Sequence, residues 1–137
     1  MNRPPEDQLA ALLAAAREAR DRAYAPYSRY HVGAAVLADD GRIVPSANME
    51  NASYPLSVCA ERGAVQRAAF EGARRLVAVA VTTSGPGVAW PCGGCRQVLH
   101  EFGPGMLVVA EGSDGRREER ALGDLLPDAF GPDDLAG

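Results

Sequence analysis

Leu76-Val77-Ala78-Val79-Ala80-Val81-Thr82-Thr83 carries no charge and is β-branched at most positions. Such a run reads as a strand buried on both faces. Just before it, Cys59 to Glu71 places Ala60, Ala64, Val65, Ala68 and Ala69 at helical spacing, and Gly72 stands where a C-terminal cap belongs. Just after it, a loop rich in Gly and Pro, Gly85 to Pro91, leads into a helix from about Cys92 to Phe102 and a buried strand from Met106 to Ala110. Further upstream, Val32 to Ala38 and Ile43 to Met49 read as strands joined by the hairpin turn Asp39-Asp40-Gly41. Pro4 and Pro5 open an Ala-rich helix from about Glu6 to Ala23, with Leu9, Leu12, Leu13 and Ala16 on one face, and Pro26 begins a turn from Ala25 to Arg29. The tail mixes polar turns with Leu122, Leu125, Leu126 and Phe130. The order is helix, hairpin, helix, strand, helix, strand, tail. It predicts an α/β fold with right-handed crossovers and a mostly parallel sheet covered on both faces, made mixed by the leading hairpin.

At 137 residues, with no dividing linker, a single domain over residues 1–137 is expected. The 47% hydrophobic and 23% charged fractions fit a soluble globular chain. No run of 18 apolar residues is present, so no membrane span is expected. A net charge of −4 disfavours nucleic acid as a partner, since phosphate contacts need Lys and Arg. All 14 basic residues are Arg, which suggests coding bias and no function. The run Leu9 to Ala16 follows Glu6 and Asp7 and continues into Arg17 and Glu18, the pattern of an amphipathic helix and not of a signal peptide. Three cysteines, an odd count, argue against a secreted disulfide framework. The expected compartment is the reducing cytoplasm, where thiols serve as ligands or nucleophiles.

All three cysteines fall at predicted helix starts: Cys59 in Cys59-Ala60-Glu61-Arg62, and Cys92 and Cys95 in Pro91-Cys92-Gly93-Gly94-Cys95-Arg96. A helix N-terminus favours the thiolate that binds metal. Cys92 and Cys95 share one helical face, and Gly93 and Gly94 leave backbone N–H groups free to donate to sulfur. Three thiolates suit zinc. A structural site needs a fourth protein ligand, and neither histidine serves. His100 is five residues after Cys95, about 140° round the helix, and His31 begins a distant strand. Three protein ligands leave one position for water, as at a catalytic zinc. The competing reading is three unrelated buried thiols.

Glu61, two residues from Cys59, argues for metal: its carboxylate can reach the activated water as a proton shuttle without occupying the ion. Arg62 shares the face of Cys59, and its guanidinium would offset the net −1 of three thiolates on a 2+ ion. The bland reading of Glu61 and Arg62 is a solvated helix face. A second constellation is Asn48-Met49-Glu50-Asn51, at the end of a strand. Asn48 and Glu50 are expected to point together as a receptor for a sugar hydroxyl, with Met49 packed on the opposite side. Its alternative is a polar loop with a cap.

Taken together, these segments resemble the small, homotetrameric cytidine deaminases that act on free nucleosides. The matching stretches are Tyr24-Ala25-Pro26-Tyr27-Ser28, Val32-Gly33-Ala34-Ala35, Asn48 to Asn51, Cys59 to Arg62, Pro91 to Val98, and Leu125-Leu126-Pro127-Asp128-Ala129-Phe130, in the family's order. The resemblance implies a three-layer α/β/α fold around a five-stranded mixed sheet, with one zinc per subunit on Cys59, Cys92 and Cys95. It implies hydrolysis of cytidine and 2′-deoxycytidine to uridine and 2′-deoxyuridine with release of ammonia, a step of pyrimidine salvage. Glu61 would protonate N3 and pass a proton to the departing amine. Asn48 and Glu50 would hold the ribose, chiefly its 3′-hydroxyl. The Ala60 N–H and Glu61 would read the base edge, and Tyr30 would pack on the pyrimidine. Phe130 would enter a neighbouring subunit's site.

Three positions depart from the family pattern: Tyr30 where Phe is usual, Ala47 where Cys is frequent, and Trp90 where a small residue is common. Trp90 is expected to narrow the mouth or fill an interface. Two rival readings are a related zinc deaminase with another substrate, and a non-catalytic zinc-stabilised module. Asn48 with Glu50 weighs against the first, and Glu61 against the second.

Overall fold

The computed structural model describes residues 3–136. Its elements are α1 (Glu6–Arg20), β1 (Val32–Ala38), β2 (Ile43–Ala47), α2 (Ala60–Phe70), β3 (Leu76–Thr83), α3 (Gly93–Phe102), β4 (Leu107–Glu111), β5 (Arg117–Ala121), and the short α4 (Leu122–Leu125) and α5 (Pro132–Leu135). The five strands form one sheet in the order β2-β1-β3-β4-β5.

The two faces of the sheet bury alternate residues, as the period of two requires. On one side Ala35, Leu37, Ala78, Ala80 and Val109 pack under Leu9, Leu12, Leu13 and Ala16 of α1. On the other, Ala34, Val36, Val79, Val81 and Val108 meet Ala60, Ala64, Val65 and Ala68 of α2 and Leu99 of α3. Burial on both sides makes β1 and β3 continuously apolar. Alanines in the strands bring α1 close. At Gly33 its backbone lies so near β1 that a Cβ would overlap the Ala16 carbonyl, which makes glycine obligatory there.

The sheet is mixed, and the expectation of a mostly parallel one is corrected. Only β3 and β4 pair in parallel, whereas β1–β2, β1–β3 and β4–β5 are antiparallel. The crossover logic itself holds. α2 and α3 each join strands running the same way, but β1 inserts between β2 and β3 and runs against both. The strand β5, read as part of a polar tail, is Arg-Glu-Glu-Arg-Ala and has no apolar face to reveal it. It is an edge strand whose Arg117 and Glu119 are covered by charges: Arg117 bonds Glu6 at 2.6 Å, and Arg3 bonds Glu119 at 2.7 Å. Other boundaries shift by a few residues. α1 stops at Arg20, β2 stops at Ala47, and β4 runs from Leu107 to Glu111.

The shift that matters for the site is at the helix starts. Cys59 and Cys92 are the extended residues just ahead of α2 and α3 (φ −70°, ψ 151° and φ −66°, ψ 166°). Gly72, at φ +98°, lies just beyond the C-terminal cap of α2, as expected.

Candidate active site

The N-termini of α2 and α3 bring Cys59, Cys92 and Cys95 together, with the three sulfurs within 4.8 Å of one another. None is in a disulfide; Cys59 and Cys92 reach solvent and Cys95 is buried. Among the described residues this is the one group of three or more Cys, His, Asp or Glu side chains arranged to hold a metal ion, and neither histidine joins it. The Cys59–Cys92 sulfur separation is 3.9 Å. A tetrahedral ion with bonds of about 2.3 Å to sulfur sets its ligands about 3.8 Å apart, so the cluster fits zinc in both donor type and spacing. The neighbouring thiols, Cys95 first and then Cys92, together with the Arg62 charge bring the Cys59 pKa down to about 6, against burial, which raises it. The nearby Cys59 sulfur, then burial and the Glu61 charge, hold the Cys95 proton far more tightly than usual. Metal binding displaces such protons.

Glu61 is 5% exposed and has no ion-pair partner among the described residues. Burial, with a smaller contribution from the Cys59 sulfur, raises its pKa to about 7. A carboxyl so placed can hold or release a proton near neutrality. Arg62 lies across from the first turn of α3, where a Cβ on Gly94 would sit 3.4 Å from its Nη2.

A cavity of about 350 Å³ joins these groups to the loop residues. Its lining brings together Cys59, Ala60, Glu61 and Cys92 with Ser28, Asn48 and Glu50, and also includes Tyr30, Val32 and Val81. The lining includes no Arg, Lys or His. A second cavity of equal volume, between α1 and the β2 edge, offers Glu18, Arg22 and Arg67 but no thiol. Ala47 lines that second cavity and not the first.

Asn48 and Glu50 do face one cavity, but not as residues of a regular strand. β2 has ended, and Met49 makes isolated bridges to Tyr24 and Val58. Its side chain is 53% exposed, so the expected packing of Met49 on the opposite face is corrected. Asn48 accepts from the Val32 N–H at 2.9 Å and donates to the Tyr30 carbonyl at 2.9 Å. One N–H and one lone pair of its amide remain for a ligand. The Glu50 carboxylate accepts from the N–H groups of Tyr27 (2.9 Å) and Ser28 (3.1 Å) and from the Ser28 hydroxyl. The Ser28 hydroxyl, followed by both N–H groups, holds the Glu50 pKa below the ordinary carboxylate range. Ser28 Oγ also accepts from the Tyr30 N–H at 3.0 Å, so one serine ties Glu50 to the Tyr30 wall. Sequence reasoning gave Ser28 no role. The signal was its place in the turn after Pro26, where a hydroxyl commonly bonds nearby backbone.

Phe130 does not line the cavity of its own chain; it is 59% exposed, with its carbonyl accepting from Gln97 Nε2 at 2.7 Å. Trp90 lines the cavity, under the Arg120 guanidinium.

The family model for the cytidine and deoxycytidylate deaminase zinc-binding region matches residues 6–111. A cytidine deaminase of Mycobacterium tuberculosis is 50% identical over 120 residues, covering 88% of this chain and 87% of its own. One from Halalkalibacterium halodurans is 46% identical over 125 residues, 90% of this chain and 95% of its own. Among solved structures, the cytidine deaminase of Burkholderia pseudomallei superposes with a TM-score of 0.85 at 47% identity, covering 88% of this chain and 98% of that one. The M. tuberculosis structure gives 0.78 at 46% identity, covering 90% and 97%.

Proposed function

The chain belongs to the cytidine and deoxycytidylate deaminase zinc-binding family, and from that premise we propose that it hydrolyses cytidine and 2′-deoxycytidine to the uridine nucleosides and ammonia. The observation that carries this reading is the meeting of three free sulfurs and a buried Glu61 in one cavity with Asn48 and Glu50. Cys59, Cys92 and Cys95 hold the zinc. When bound, it supplies Lewis acidity that brings the pKa of water to about 7.

The chain's own residues do the rest. Water adds to C4, and Glu61 relays its two protons, one to N3 of the base and one to the amine as the C4–N bond breaks. The Ala60 N–H, in the first turn of α2 where backbone donors lack intrahelical partners, reads the base edge beside Glu61. Tyr30 packs on the pyrimidine. Asn48 and Glu50, oriented by Val32, Tyr27 and Ser28, take the 3′-hydroxyl. Arg62 draws charge from the sulfurs. A cavity lining without Arg, Lys or His suits an uncharged nucleoside. We place the enzyme in the cytoplasm, in pyrimidine salvage, as a single domain assembled into homotetramers. Among the described residues, no helix is long and apolar enough to cross a membrane.

The test is absorbance. Zinc-loaded protein should bleach the cytidine band with both nucleosides, and an unchanged spectrum with both would overturn the reading. Glu50→Ala should weaken both substrates alike, because one charged hydrogen bond to a hydroxyl is worth about 10- to 100-fold. The parent should lose a similar factor with 3′-deoxycytidine and the variant little; equal turnover of 3′-deoxycytidine and cytidine by the parent would remove the sugar role. Phe130, exposed in its own chain, serves the site of a neighbouring subunit. Phe130→Ala should raise KM with zinc content unchanged. Reassembled with Glu61→Ala, it should regain activity, since hybrid sites combine both intact residues.

A further inference from the structure

Ala89-Trp90-Pro91-Cys92 puts the largest side chain of the chain two residues from a sulfur of the site. The loop that carries it is fastened at several points. Ser113 N–H donates to the Gly85 carbonyl at 3.0 Å, and Gly87 N–H to Asp114 Oδ2 at 3.3 Å. Gly112 packs so closely that a Cβ there would overlap the Gly87 carbonyl. At the other end, Arg96 Nε donates to the Pro91 carbonyl at 2.6 Å. Trp90 therefore belongs to a fixed wall and not to a free flap. Its ring packs on the core beneath α2 and α3 and lines the cavity. The Arg120 guanidinium lies 4.9 Å from the ring centroid. Arg120 stands opposite Val108 in the β4–β5 pair, so it leaves the sheet on the side of the α2–α3 layer. A guanidinium on an indole face both attracts the ring and restrains its rotation.

A nucleoside spans the cavity from the hydroxyl receptors, Asn48 and Glu50, to the sulfur end, where the exocyclic amine reacts. Trp90 lines the same cavity as Cys92, two residues away in the chain. We propose that Trp90 is a specificity-determining residue: held by Arg120, its indole occupies the space beyond the amine and excludes cytosines substituted on the exocyclic nitrogen. Arg120 is a positioning residue that acts through Trp90. The inference rests on the deaminase reading and deepens it.

N4-methylcytidine tests it with balanced chemistry. Water adds at C4, the C4–N bond breaks, and methylamine leaves with the proton in place of ammonia, so uridine is the product from either substrate. The readout is the ratio of kcat/KM for cytidine to that for N4-methylcytidine, which a general loss of stability does not move. One methyl group without room costs about 10- to 200-fold. The parent should show a ratio of at least about tenfold, and Trp90→Ser should reduce it by about tenfold or more. Arg120→Ala should reduce it by about two- to fivefold, and it decides the matter should Trp90→Ser fail to fold. A parent that converts both substrates equally, or a ratio unmoved by the variants, overturns the proposal. So does relief for 5-methylcytidine in place of N4-methylcytidine. Failure of the zinc-loaded parent to convert cytidine would overturn the deaminase reading instead.

Discussion

Glu61→Gln should fold, keep one zinc per chain and lose about 10²–10⁴ in kcat, the range of a positioned acid or base. The substitution changes one atom, so the packing of a side chain that is only 5% exposed survives. Burial disfavours the charged carboxylate, which is what raises its pKa. A neutral amide in the same place should therefore not lower the melting temperature. Glu61 lies in the first turn of α2, and its alternative use is to complement the helix dipole. That role is worth about 0.3–1 kcal/mol of stability and no catalysis. The two uses thus predict opposite results: activity lost with stability kept, or stability trimmed with activity kept. Zinc content by emission spectrometry, a melting curve and single-turnover kinetics separate them. Wild-type kcat in a variant with full zinc occupancy would assign Glu61 to the helix alone.

How far the sequence could be read follows from where information is local. β1 and β3 were legible to the residue because burial on both faces leaves an uninterrupted apolar run. β5 was not, because an edge strand covered by Arg3 and Glu6 needs charges where a buried strand needs valines. The direction of the sheet was misjudged for a different reason. Helical crossovers tell which strands run alike, but not which strand lies between them. The sulfurs and Glu61 were legible because rare residue types at two helix starts are a local pattern. Resemblance to a known family then supplied Asn48, Glu50 and Phe130 with roles that spacing alone left open. What stayed hidden was the support around them. Ser28 holds Glu50 across 22 positions of sequence, and Arg120 holds Trp90 from a strand that the pattern did not show. Such contacts exist only once the chain has closed on itself.

Cys92→Ala carries the other large effect. Cys92 is exposed while Cys95 is wholly buried, so removing the Cys92 sulfur opens no cavity and little packing energy is lost. Whatever stability disappears is then the metal's contribution. An ion present at about a thousand times its dissociation constant stabilises the folded chain by about 4 kcal/mol. That corresponds to a fall of roughly 15 °C in melting temperature for a domain of this size. The variant should hold well under one zinc per chain after dialysis, show no cytidine turnover, and melt roughly 15 °C below the zinc-loaded parent. Stripping the parent with a chelator should bring it down to the variant, within a few degrees, because both then lack the same ion. Cys95→Ala should fall further than either, since it loses the metal and also leaves a void beneath the N-terminus of α3. A Cys92→Ala protein that keeps one tightly held zinc, or that melts far below the chelated parent, would show that Cys92 does structural service and that the third ligand lies elsewhere.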